Sequence, residues 1–340
     1  MHIVITGGAG FLGVRLARSL LALGQVSLAG SAPQSITRLT LVDRAAPPAD
    51  LLADTRVAAL TGDLNALLEG QDAGAVVTQD TALVFHLAAA VSGECETDFD
   101  LGMRSNLDAT RALLQACRAR QTRPTLVFAS SLAVFGNSPE QPLPATIEDN
   151  TLPTPQNSYG IQKFIGEQLV ADYTRKGFIQ GRSVRLMTVS VRPGQPNGAA
   201  SSFLSGMIRE PLAGVRASCP VSPDTAVALS SPARTVEGLL RAAQTSDQEW
   251  GARTALNLPA IRTTTGAMAA ALTRIAGTAA TELIDWTPDP AIAKIVTSWP
   301  ATLRATRAKG LGLLPDKDFE SIIRDYVREN PYAVKLAVSP

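Results

Sequence analysis

Short apolar, β-rich runs alternate with helical patterns through the first half of the chain. His2–Thr6, Leu39–Val42, Ala82–His86 and Leu126–Ala129 read as strands. They are nearly continuous in apolar residues, as strands covered on both faces are. Val14–Leu23 carries Leu16, Leu20 and Leu23 on one helical face. Leu101–Arg120 and Ser158–Arg175 are longer helical patterns, and Arg182–Val191 is a further strand. Strands alternating with helices predict an α/β fold with a doubly wound parallel sheet, Rossmann-like in class.

After Pro193 the texture changes. Glycine, proline, serine and alanine dominate to about Pro232, without a clear period. Arg234–Ala243 then reads as a helix and Thr254–Leu258 as a strand. Thr264–Ala276 is helical, with Thr263–Thr265 as its capping region, and Asp316–Glu329 is an amphipathic tail helix. The expected division is a sheet domain over residues 1–190 and a smaller, mainly substrate-binding subdomain over 191–340. A strand near 254–258 is expected to return to the sheet.

Composition narrows the class. The 340 residues hold 31 Lys plus Arg against 30 Asp plus Glu, a net charge of +1. That balance argues against a nucleic-acid or membrane-surface partner. With 45% hydrophobic residues the chain fills a core. Cys95, Cys117 and Cys219 are too few and scattered for a disulfide framework or a zinc site, and two histidines do not make a metal centre. No run approaches the roughly 18 apolar residues of a membrane span. The N-terminus enters a strand pattern at once, without the marks of a signal peptide. The expectation is a cytoplasmic protein without a metal.

Candidate chemistry begins at Thr6–Gly13. Gly7, Gly10 and Gly13 stand as G-x-x-G-x-x-G between a strand and a helix. A side chain at Gly7 or Gly10 would block backbone approach to a pyrophosphate, and Gly13 lets helix and strand pack closely. The helix start then offers N–H groups and a positive dipole end to phosphates. Asp43 ends the second strand, where a carboxylate accepts from both ribose hydroxyls and repels a 2′-phosphate. It lies 30 residues after Gly13, and the polar stretch Gly30–Arg38 supplies the excess over the usual ~20. Arg44 beside it suits a 2′-phosphate instead, but Asp43 favours NAD over NADP. Asp63 either meets the adenine amino group or closes a turn.

Tyr159 and Lys163 form Tyr-x-x-x-Lys at a helix start, one turn apart on one face. A phenol, with its ordinary pKa of about 10, is a poor base at neutral pH. A nearby ammonium and a positive nicotinamide ring would lower it. Ser130 and Ser131 follow the strand Leu126–Ala129, at the end where doubly wound sheets put ligands. A serine there can hold the reacting oxygen beside the tyrosine.

Together these residues resemble the extended short-chain dehydrogenase/reductases, the group holding nucleotide-sugar epimerases and dehydratases. The matching pieces are Thr6–Gly13, Asp43, Gly62-Asp63-Leu64, His86-Leu87-Ala88-Ala89, Asn106, Ser130-Ser131 with Val134-Phe135-Gly136, and Tyr159–Lys163. The resemblance implies a catalytic trio of Ser131, Tyr159 and Lys163. It also implies an NAD site lined by Gly7, Gly10, Phe11, Leu12, Gly13, Asp43, Asp63, Leu64, Leu87, Ala88 and Ala89. Asn106 would support the lysine through water, and Tyr159 and Lys163 would reach the nicotinamide side. Relatives commonly dimerise through the helices matching Leu101–Arg120 and Ser158–Arg175, which implies a homodimer. His86 reads as a structural residue near the cofactor. The cysteines read as packing residues, with Cys219, in a Pro-bounded loop, the one to test for reactivity.

The substrate is written after the strand Arg182–Val191. Ser190–Asn197, Ala199–Phe203 and Arg209–Leu212 depart from the stretch usual in nucleotide-sugar enzymes. They resemble dehydrogenases of the family that oxidise a D-erythronate-like, four-carbon sugar acid at C2 with NAD. Arg192 either forks onto a substrate carboxylate or pairs internally. Ser92, Asn197, Ser201 and Ser202, with Ser131 and Tyr159, are candidates for the hydroxyls. A nucleotide-sugar 4-epimerase or dehydratase is the alternative, and a non-catalytic dinucleotide sensor the second; the intact trio counts against the sensor.

Overall fold

The computed structural model describes residues 1–69 and 73–339. Its central sheet is built from β1 (His2–Thr6), β2 (Arg38–Asp43), β3 (Val57–Thr61), β4 (Thr81–His86), β5 (Thr125–Ser131) and β6 (Gln180–Leu186). Beyond it, β7 (Thr188–Val189), β8 (Ala226–Ser230) and β10 (Ile261–Thr264) form a second sheet, while β9 (Leu256–Asn257) returns to the first. The order of the seven-stranded sheet is β9-β6-β5-β4-β1-β2-β3, and all neighbours are parallel. The strand order reverses between β1 and β4. A crevice opens there beyond the carboxyl ends of the strands.

The helices are α1 (Phe11–Leu23), α2 (Ala109–Arg120), α3 (Ser158–Arg175), α4 (Phe203–Leu212), α5 (Pro232–Gln244), α6 (Thr265–Ala276), α7 (Pro290–Ser298) and α8 (Phe319–Glu329), with several shorter turns. All of β1 is buried, and successive residues enter different cores, as a period of two requires. Ile3 and Ile5 join Leu16 and Leu20 of α1 on one face. Val4 joins Leu113 of α2 and Val170 of α3 on the other. Val236 and Leu239 of α5 and Leu256 of β9 belong to the first of these cores. A separate core gathers Leu204, Met207 and Ile208 of α4 with Leu272 of α6 and Ile323 of α8. No helix among the described residues is long and apolar enough to cross a membrane.

Several expectations from the sequence are corrected. The helix expected at Val14 starts at Phe11, directly after Gly10. The expected strand Leu126–Ala129 runs on through Ser131, because Ser130 and Ser131 pair with Arg185 and Leu186. Leu101–Arg120 is not one regular helix, since Met103–Asp108 is a π-helical turn. Arg182–Val191 is not one strand either. It leaves the central sheet after Leu186, and Thr188 pairs with Leu229 of the second sheet. Helix α4 lies where composition pointed to loop. Nearly every residue of α4 is buried, Ser205 and Arg209 included, and Pro211 falls in its last turn.

Candidate active site

Strand β1 delivers the chain to Gly7 in a left-handed conformation, φ +72°, where a Cβ would stand 2.8 Å from the Ala88 nitrogen. At Gly13 a Cβ would collide with the Gly7 carbonyl. Helix α1 begins with Gly10 as N-cap and no side chain capping it. Its first N–H groups therefore stay available to an anion. The carboxylate of Asp43, at the end of β2, accepts from the Ala9 nitrogen at 2.9 Å and from Ala45 at 3.2 Å. Arg44 is drawn to Asp63, Nη2 to Oδ2 3.2 Å. Asp63 also accepts from the Asn65 nitrogen at 3.0 Å, so it closes a turn while lining the cleft. A glycine cradle, an uncapped helix start and a carboxylate at the second strand end fit a dinucleotide with an unphosphorylated ribose.

The same cleft, about 480 Å³, is lined by Gly7, Gly10, Phe11, Leu12, Gly13, Asp43, Asp63, Leu64, Leu87, Ala88, Ala89, Ser92, Ser131, Tyr159, Lys163, Arg192, Asn197 and Ser201. Two expected residues stand behind its wall. Asn106 is buried, accepts from the Ala90 nitrogen at 2.8 Å and donates to Gln162 Oε1 at 2.8 Å. It thus braces the turn after Ala89 against α3, with no direct bond to Lys163. Ser202 accepts from the Asn197 nitrogen at 3.1 Å, tying its own loop together. Met187, Thr188 and Trp299 also line the cleft. Sequence reading missed them because they reach it only after the chain leaves β6 and returns from α7.

Tyr159 meets Ser131 because α3 seats tightly on the turn after β5. Asn157 caps α3, its Oδ1 accepting from the Gly160 nitrogen at 2.7 Å. A Cβ at Gly160 would strike the Ala133 carbonyl, so only glycine permits this approach. Ser131 lies near enough to Tyr159 to favour its phenolate, and its Oγ accepts from the Ala133 nitrogen at 3.1 Å. Lys163 Nζ donates to the Ala129 carbonyl at 2.9 Å and lies 5.7 Å from the Tyr159 ring centre. Burial pushes the Tyr159 phenol up to about 12 and pulls the Lys163 ammonium down to about 8. The chain by itself therefore does not lower the phenol; Ser131 and Arg192 only moderate the rise.

Ser130 also lines the cleft, but its hydroxyl is already engaged. Its hydroxyl donates to Glu167 Oε1 at 2.5 Å, and Glu167 holds the buried Arg185 through two contacts of 2.8 and 2.7 Å. His86 is locked between Thr6 Oγ1 (2.6 Å) and Thr110 Oγ1 (2.9 Å), and burial pulls it down to about 3. It is a neutral structural histidine. Cys219 is buried and its thiol is pushed up, which opposes reactivity.

Arg192 is held at its backbone by α4. Its nitrogen donates to Ser205 Oγ at 3.0 Å, and Arg209 Nη1 donates to its carbonyl at 2.8 Å. Its own Nη2 is buried without an acceptor among the described residues. Burial and the neighbouring Arg209 pull the guanidinium down to about 10. An unpartnered charged donor on a residue that lines a cleft suits an anion.

Residues 3–224 match the family described as NAD dependent epimerase/dehydratase. A D-erythronate dehydrogenase of Cupriavidus necator is 48% identical over 97% of this chain and 98% of its own. One from Haemophilus influenzae is 42% identical over 96% of this chain and 99% of its own. A solved structure described as a nucleoside-diphosphate-sugar epimerase from Agrobacterium tumefaciens superposes with a TM-score of 0.87 at 39% identity, covering 98% of this chain and 95% of that one.

Proposed function

The chain belongs to the NAD dependent epimerase/dehydratase family and is an NAD-dependent oxidoreductase, and from that premise we propose that it oxidises D-erythronate, or a close four-carbon sugar acid, at C2 to the 2-oxo acid. The observation that carries this reading is the buried, unpartnered Nη2 of Arg192, a residue that lines the cleft together with Ser131 and Tyr159. Its guanidinium would grip the substrate carboxylate. Ser131 would hold the C2 hydroxyl, and Tyr159, as phenolate, would take its proton. Lys163, charged and buried beside the phenol, would stabilise that phenolate. Ser92, Asn197 and Ser201 would meet the remaining hydroxyls. Bound NAD supplies the acceptor for the hydride that leaves C2.

The dinucleotide would be held by Gly7, Gly10, Phe11, Leu12, Gly13, Asp43, Asp63, Leu64, Leu87, Ala88 and Ala89. Residues 1–190 with the returning segment around β9 would form its domain, and most of 191–340 the substrate side. Ile161 and Ile165, exposed one turn apart on α3, support a homodimer.

The test is an assay of NADH formation with aldonic, uronic and nucleotide sugars. D-Erythronate as the preferred substrate supports the reading. Conversion of a nucleotide sugar without NADH release would establish the epimerase alternative, which the Agrobacterium similarity favours.

Two variants refine it. Arg192→Lys should lower kcat/KM for the acid by about ten- to a hundredfold, because a point charge replaces a two-pronged donor. Its affinity for NAD should stay unchanged, as measured by titration. Asp43→Ala should narrow the preference for NAD over NADP by about tenfold or more, since like charge no longer faces a 2′-phosphate. The ratio of kcat/KM values for the two cofactors checks it. Part of the change should be a loss with NAD, because Asp43 also holds the Ala9 nitrogen.

A further inference from the structure

Trp299 lines the cleft from the far end of the chain, facing the same space as Ser131, Tyr159 and Arg192. Its Nε1–H is buried and finds no acceptor among the described residues. Buried donors are nearly always satisfied, so an unpartnered one on a residue that lines a cleft points to an oxygen supplied when the ligand binds and the wall adjusts to it. The segment carrying it is anchored on both sides to the chain that follows Ser131. The Ser298 carbonyl accepts from the Asn137 nitrogen at 2.8 Å, and the Thr302 carbonyl accepts from the Ile147 nitrogen at 2.9 Å. Leu303–Arg304 then pairs with Ile147–Glu148 in a short parallel ladder. Trp299 also packs against both the core beneath the central sheet and the core around α4. A rigid indole held this way has little freedom to turn its donor elsewhere.

We infer that Trp299 is a substrate-recognition residue: its indole N–H donates to an oxygen of the sugar acid, and its ring bounds the pocket so that a short chain fits. The inference rests on the sugar-acid reading above. It assigns recognition to two donors from unrelated parts of the chain, the Arg192 guanidinium and the Trp299 indole. Both are buried without an acceptor among the described residues, both belong to residues that line the cleft, and both suit an oxygen-rich ligand. The flat ring adds an apolar surface for the C–H groups of a four-carbon chain.

The experiment compares the unmutated enzyme with Trp299→Phe and Trp299→His on D-erythronate, D-gluconate and UDP-glucose. Trp299→Phe keeps the ring and loses the donor. It should raise KM for D-erythronate by about ten- to a hundredfold, with kcat and NAD affinity little changed. Trp299→His, which restores an N–H, should recover part of the loss. Equal KM for the unmutated enzyme and Trp299→Phe overturns the assignment of Trp299 and leaves the sugar-acid reading standing. If no acid is turned over, that reading falls, and this assignment with it. Should the variants fail to fold, the unmutated protein still decides. One of its three indole N–H resonances should shift when NADH and D-erythronate saturate the site, and no shift overturns the inference.

Discussion

Tyr159→Phe is expected to lower kcat by about 10²- to 10⁴-fold, the usual worth of a positioned general base, while NAD still binds. The ring remains to pack beside Lys163, and the glycine cradle is untouched. What disappears is the phenol oxygen, whose ionised form the neighbouring Ser131 favours. Turnover measured at saturating NAD and acid, with NAD affinity measured separately, checks both halves. Near-normal turnover would remove Tyr159 from the role of base. The pH dependence carries the same argument with a definite sign. The phenolate is the active form, so kcat/KM should rise with pH through the phenol's ionisation. In the chain by itself burial, moderated by Ser131 and Arg192, sets that ionisation near 12, and a midpoint well below it in the complex would measure how far the positive charge of bound, oxidised NAD pulls the phenol down. Lys163, pulled down to about 8, should give the falling limb as it loses its charge.

The second large effect lies one helical turn beyond Lys163. Glu167→Ala should destabilise the protein by about 3–5 kcal/mol, because it leaves Arg185 charged and buried without its partner. Both side chains are almost inaccessible, at 3% and 5% exposure. The network joins β5 through Ser130, α3 through Glu167, β6 through Arg185 and, at 3.3 Å, β9 through Asn257. It therefore ties together the elements that bring Ser131 and Tyr159 into contact. Urea unfolding checks the magnitude. Glu167→Gln, which keeps the shape and a hydrogen-bond acceptor, should cost less. A loss under 1 kcal/mol for the alanine variant would mean that Arg185 finds another partner or water.

Much of the sheet and its cofactor cleft was legible in the sequence because the determinants are local. Apolar runs such as His2–Thr6 are buried whatever surrounds them, and Gly7–Gly13 encodes a turn and helix start within eight residues. Asn157, Tyr159 and Lys163 lie within seven residues on one helix start, so their mutual placement follows from helical geometry. Other features were decided only by tertiary packing. The break after Leu186 depends on Thr188 finding Leu229, some forty residues away. Helix α4 is buried on nearly all sides, and only the packing around it places Ser205 and Arg209 inside. The phenol of Tyr159 is raised, not lowered, because the fold desolvates it, and desolvation is a property of everything packed around a group. Arg192 and Trp299 share one cleft although more than a hundred residues separate them. Sequence alone determined which residues could perform the chemistry and which helix and strand ends carry them. The tertiary structure decided which buried donors were left without partners, because satisfaction of a hydrogen bond depends on distant segments that no local pattern records.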